Sequence, residues 1–89
     1  MKTRKGYSLR PLGKEYILVA DGLEAVDFSR MVSMNESAAL LWEAVEGKDF
    51  DAGTLADLLV DNYGIDRERA EKDVSVLLET WRKASIIEV

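Results

Sequence analysis

Arg30-Met31-Val32-Ser33-Met34-Asn35-Glu36-Ser37-Ala38-Ala39-Leu40-Leu41-Trp42 is the stretch in which the chain changes its period. The residues up to Met34 read as a short strand. From Asn35 onward apolar residues return at helical spacing, with Ala38, Leu41, Trp42 and Val45 on one stripe. Asn35 is a good N-cap because its side-chain oxygen can accept from a free backbone N–H of the first turn, and Glu36 sits where the helix dipole favours an acid. Ala39 and Leu40 lie outside the stripe. This helix, about 36–46 and ended by Gly47, is therefore apolar over most of its circumference and is expected to be the most buried one.

Working outward toward the N-terminus, Tyr7-Ser8-Leu9-Arg10-Pro11-Leu12 and Glu15-Tyr16-Ile17-Leu18-Val19-Ala20 read as strands over 7–12 and 15–20, joined by a tight hairpin at Gly13-Lys14. Pro11 has no N–H to give a ladder, which puts the first strand at a sheet edge. Asp21-Gly22 marks the next turn, and a connection through Leu23–Asp27 leads to the third strand over 30–34. Downstream, a second helix over 52–63 is capped by Asp51 or Thr54, carries Leu55, Leu58, Leu59 and Asn62 on one side, and stops at Gly64. Asp66 is placed to cap a third helix over 67–84. In it Ala70, Val74, Leu77, Leu78 and Trp81 fall on one core-facing stripe at 100° per residue. The tail Ile86-Ile87-Glu88-Val89 is β-prone and can return as a short strand. The expectation is an α+β fold in a single domain spanning residues 1–89, with a three-stranded antiparallel sheet followed by three helices.

Composition narrows the function. Apolar residues are 47% and charged residues 33% of the 89, a globular balance. With no cysteine and no histidine there is no thiolate, no imidazole base and no zinc or iron–sulfur site. The reading is a binding module without catalytic residues, metal or cofactor. The net charge is −5, with +5 over residues 1–14 and −10 over the remainder. That field repels a phosphate backbone, so no nucleic acid is expected as partner. No apolar run is long enough for a signal peptide or a membrane span, and the missing cysteines point to the cytoplasm.

Several features invite a sharper reading. Asp57 with Asp61, and Asp66 with Glu68, Glu71 and Asp73, are spaced along helix faces that do not converge on one point, so they read as solvated acids. Asp73 falls at the edge of the core stripe, where a fixed acceptor can line a groove or bond a nearby backbone or Tyr hydroxyl. Val76, about 240° around the wheel from Ala70, sits off the stripe beside Thr80 and Arg69. With an unpaired strand edge nearby, it would form the wall of a peptide groove. Trp42 and Trp81 occupy core positions, and their helices are expected to pack together through them. The three-residue connection after Tyr63 has helix-turn-helix spacing, so a winged-helix DNA-binding regulator is the alternative. The third helix balances five acids against five bases, however, and exerts no net pull on phosphate.

Met34-Asn35-Glu36-Ser37-Ala38-Ala39-Leu40-Leu41-Trp42-Glu43 resembles the PqqD family of pyrroloquinoline quinone biosynthesis and its relatives. The resemblance continues through Leu55–Tyr63, Ala70-Glu71-Lys72-Asp73-Val74, Leu77, Leu78 and Ile86-Ile87. Two departures are Ser37-Ala38 where Thr-Gly is common, and Ala84-Ser85 where Ala-Gly usually precedes the last hydrophobic pair. The resemblance implies a winged-helix-like recognition element that binds the leader of a ribosomally made precursor peptide by β-augmentation and presents it to a modifying enzyme, often a radical S-adenosylmethionine protein. The implied peptide-binding residues are Arg30, Met31, Val32, Ser33 and Met34 on the third strand, with Arg69, Asp73, Val76, Leu77 and Thr80 on the third helix. The same edge leaves room for a homodimer.

Overall fold

The protein is described by a computed structural model covering residues 1–20 and 31–88. Its elements run β1 (Lys2–Thr3), β2 (Tyr7–Leu12), β3 (Glu15–Ala20), β4 (Val32–Met34), α1 (Glu36–Val45), α2 (Ala52–Tyr63), α3 (Arg67–Lys83) and β5 (Ile87–Glu88). The α+β class, the antiparallel sheet β2-β3-β4 and the three following helices are as expected. The predicted turn at Asp21-Gly22, the connection Leu23–Asp27 and Arg30 lie outside the described residues. The third strand is shorter than predicted, since Met31 precedes it. The first and third helices each end one residue earlier than expected, at Val45 and Lys83.

Gly13 turns the β2–β3 hairpin with a φ of +64°, while Lys14 has an ordinary φ, the pattern of a two-residue turn with glycine leading. Leu12 and Glu15 close that turn, and the register continues without a bulge to Tyr7 opposite Ala20. Pro11 faces Tyr16 one position from the closing pair, so its missing N–H falls on the outer side of the edge strand, where no ladder bond is lost.

The N-terminal basic stretch holds a strand that periodicity did not reveal. Lys2 and Thr3 pair with Glu88 and Ile87 in a second, two-stranded sheet, so the apolar tail does return as a strand, and its partner is the N-terminus. Phe50 reinforces this closure by donating its N–H to the Met1 carbonyl at 2.9 Å, while the Met1 ammonium donates to the Phe50 carbonyl at 2.8 Å.

The helices meet over a core whose largest fully buried side chains include Trp42, Trp81, Leu18, Leu41 and Leu55. Asn35 caps α1 by accepting from Ala38 N at 2.9 Å. Asp51 and Thr54 share the cap of α2 reciprocally rather than one excluding the other, and Gly64 ends that helix in the left-handed region at φ +63°. Two expectations fail. Asp66 occupies the N-cap of α3 but makes no side-chain cap bond; its backbone carbonyl alone takes Ala70 N. Asn62 is exposed rather than on the buried side, and its amide donates back to the Leu58 carbonyl at 2.8 Å. Ala56, outside the expected apolar side, is buried instead. No helix among the described residues is long and apolar enough to cross a membrane.

Candidate functional site

In an antiparallel hairpin the backbone groups of successive residues point alternately to the two sides. The two-residue turn makes Leu12 and Glu15 a hydrogen-bonded pair, which sends the N–H and C=O groups of Glu15, Ile17 and Val19 toward β2. Those of Tyr16 and Leu18 therefore face β4, where their partners are Met34 and Val32. Ser33, opposite Ile17, has its N–H and C=O turned away from β3, on an edge that is open among the described residues.

Side chains alternate as well. Leu18, Tyr16, Val32 and Met34 turn toward the core, Met34 at 3% exposure. The exposed Ser33 points away from it.

Beyond the end of β4 the chain enters the α1 cap, and here two adjoining cavities of about 350 and 340 Å³ open between the start of α1, the end of α2 and one flank of α3. Asn35, Ser37, Leu59 and Asp73 line both, which makes them one groove. Val76, Leu77 and Thr80 line one half, and Arg69 the other. Val76 is 66% exposed although it lies on a helix with a buried face. The Thr80 hydroxyl donates to the Val76 carbonyl at 3.2 Å, so its proton is used within the helix.

Among the described residues Asp73 meets neither a backbone N–H nor a Tyr hydroxyl. Arg69 Nε lies 3.9 Å from its carboxylate, with the two side chains 73% and 55% exposed. Such an open pair contributes little to stability and can exchange partners.

The structure thus brings Arg69, Asp73, Val76, Leu77 and Thr80 around one groove. Met31, Val32, Ser33 and Met34 do not line it; they approach through Asn35, which follows them directly. Sequence reasoning missed Asn35, Glu36, Ser37, Leu59, Tyr63 and Ile65 as groove residues. A usable signal was present in Tyr63 and Ile65, two apolar side chains flanking a helix-ending glycine where few core contacts are available. Among the described residues no three His, Cys, Asp or Glu side chains gather to hold a metal ion.

Comparison with known sequences matches residues 7–87 to the family described as coenzyme PQQ synthesis protein D (PqqD). The chain belongs to the PqqD family. Among solved structures this PqqD-family chain is similar to TbiB1 in complex with the TbiA(beta) leader peptide, with a TM-score of 0.71 at 18% identity, covering 99% of this chain and 95% of that one. The likeness shows a shared fold, winged-helix-like and with three helices after a three-stranded sheet. No curated protein matches the sequence.

Proposed function

We propose that this chain is a non-catalytic recognition domain that binds the leader of a ribosomally synthesised precursor peptide by β-augmentation and hands it to a modifying enzyme. The observation that carries the reading is the open edge of β4 running into the α3 groove, in a chain of the PqqD family. An extended peptide gains main-chain hydrogen bonds from Ser33 and side-chain contacts from Val76, Leu77 and Thr80, the two ingredients of strand addition. TbiB1, which shares the fold, is in complex with a leader peptide. With no thiol or imidazole in the chain, the covalent chemistry falls to the partner, which we take to be a radical S-adenosylmethionine enzyme in the cytoplasm, making pyrroloquinoline quinone or another modified peptide.

The DNA-reading alternative is disfavoured by the pairing of cations on α3. Arg67 is bonded to Asp57 and Glu71, Arg69 faces Asp73, and Arg82 and Lys83 both face Glu79, so four of the five cations of α3 each lie beside an acid that weakens their pull on phosphate. A homodimer through β4 would compete with peptide for the same edge.

The test is to titrate the isotope-labelled domain with the peptides encoded by short reading frames beside its gene, following backbone amides by NMR. Saturable shifts centred on Ser33 and on residues 73–80 are expected. Shifts confined to other faces, or none with any such peptide, would remove the reading.

A further inference from the structure

β4 offers only three paired residues, about 10 Å of edge at 3.3 Å per residue, yet the groove continues past its end. The far half is built differently from the Val76 half. Leu59, Tyr63 and Ile65 line it as apolar side chains, and Glu36 and Arg69 line it as charged ones. Tyr63 is 42% exposed, one of the exposed large hydrophobic side chains among the described residues. The cation that lines this half, Arg69, already faces Asp73. Glu36 has no ion-pair partner among the described residues. An apolar slot with an open aromatic face and a carboxylate held by no cationic side chain among the described residues is complementary to an apolar side chain beside a cation, which the ring face and the carboxylate attract together.

We infer that the bound leader runs past the Asn35 end of β4 into the Leu59–Tyr63–Ile65 slot, seating there an aromatic or large aliphatic side chain with a lysine or arginine next to it facing Glu36. The inference rests on the leader-binding reading and adds to it a second anchor with a stated charge preference. Continuity supports it, since Asn35, Ser37 and Asp73 line both halves of the groove.

The experiment selects binders to the intact domain from a display library of random peptides of about 15 residues, long enough to span the strand edge and both cavities. One selected peptide, and its variant with the basic residue replaced by Ala, are then measured against the wild-type domain, Ser33→Pro, Glu36→Gln and Tyr63→Ala. Glu36→Gln and Tyr63→Ala should each weaken the peptide about twofold to fivefold, and the effect of Glu36→Gln should vanish with the Ala peptide. Ser33→Pro should abolish binding of both peptides. If Ser33→Pro abolishes binding but the other two variants bind normally, the second anchor is wrong and leader binding stands. If the library yields no binder, or the binders ignore Ser33→Pro, leader binding by this edge fails and the inference fails with it.

Discussion

The indole rings of Trp42 on α1 and Trp81 on α3 meet edge to face, with centroids 5.3 Å apart and planes at 89°. Both side chains are fully buried, so the contact ties the central helix to the helix that walls the groove. Trp42→Ala and Trp81→Ala should each cost about 3–5 kcal/mol, a large share of what a domain of this size possesses. Trp42 Nε1 is buried with no acceptor among the described residues. Trp42→Phe removes that unsatisfied donor and should be much milder than Trp42→Ala. Denaturant unfolding measures all three, and a Phe variant as unstable as the Ala one would mean the indole N–H is bonded in solution.

The backbone parity of β4 leads to an asymmetric proline scan. Val32→Pro removes an N–H directed at Leu18 and should unfold the sheet, whereas Ser33→Pro removes one directed outward and should leave a folded domain that no longer takes the leader. Circular dichroism and peptide titration separate the two outcomes. A folded Val32→Pro variant beside an unfolded Ser33→Pro variant would reverse the parity assignment.

Val76 and Thr80 are exposed on the flank of α3. Val76→Asp and Thr80→Asp should therefore change stability by no more than about 0.5 kcal/mol while weakening leader affinity. Unaltered affinity in both would place the peptide elsewhere.

Ser85 is the only described residue other than glycine with a positive φ, at 60°. It ends α3 by donating its N–H to the Arg82 carbonyl at 3.0 Å, while Ile86 donates to the Trp81 carbonyl at 3.2 Å, the paired bonds of a helix stop that glycine fills best. Left-handed strain at Ser85 exceeds the extra chain entropy of glycine, so Ser85→Gly should stabilise by about 0.5–1 kcal/mol. A thermal midpoint that falls instead would show that the serine side chain contributes something the geometry does not reveal.

Asp51 accepts from Thr54 N at 2.8 Å and from the Thr54 hydroxyl at 3.0 Å, and these bonds, the backbone one first, hold its pKa below the ordinary 3.8. A lowered carboxylate pKa contributes stability above the unfolded value and loses it as pH falls through the folded one. Asp51→Ala should thus lower the thermal midpoint near neutral pH, and the gap from wild type should narrow as pH drops below 3.8. A gap that stays constant through that range would mean the cap does not depend on the charge.

Local rules were legible where one residue type has one physical solution. Pro11 demanded an edge, Gly64 a left-handed stop, Asn35 a cap, and the stripe through Ala70, Val74 and Trp81 a buried face; all four follow from backbone chemistry or helical period acting within a few residues. The Ala84-Ser85 departure also had a meaning readable in advance, as a side chain placed where the family prefers glycine. Asn62 misled because the wheel put it with Leu55 and Leu59, whereas the last turn of α2 is exposed on that side and the Asn62 amide bonds the Leu58 carbonyl.

Sequence by itself determined the class of fold, the order of the three sheet strands and the three helices, the absence of thiol and imidazole chemistry, and the flank of α3 that the core does not use. Tertiary structure alone decided that Lys2–Thr3 pairs with Ile87–Glu88, that Ser33 rather than Val32 turns its backbone groups away from β3, and that Tyr63, Ile65 and Glu36 join Asp73 around one groove. The reason is range. Periodicity and capping are settled by neighbours within one turn or one hairpin, while strand partners and groove walls depend on contacts between residues tens of positions apart, whose geometry exists only after the helices have packed on the sheet.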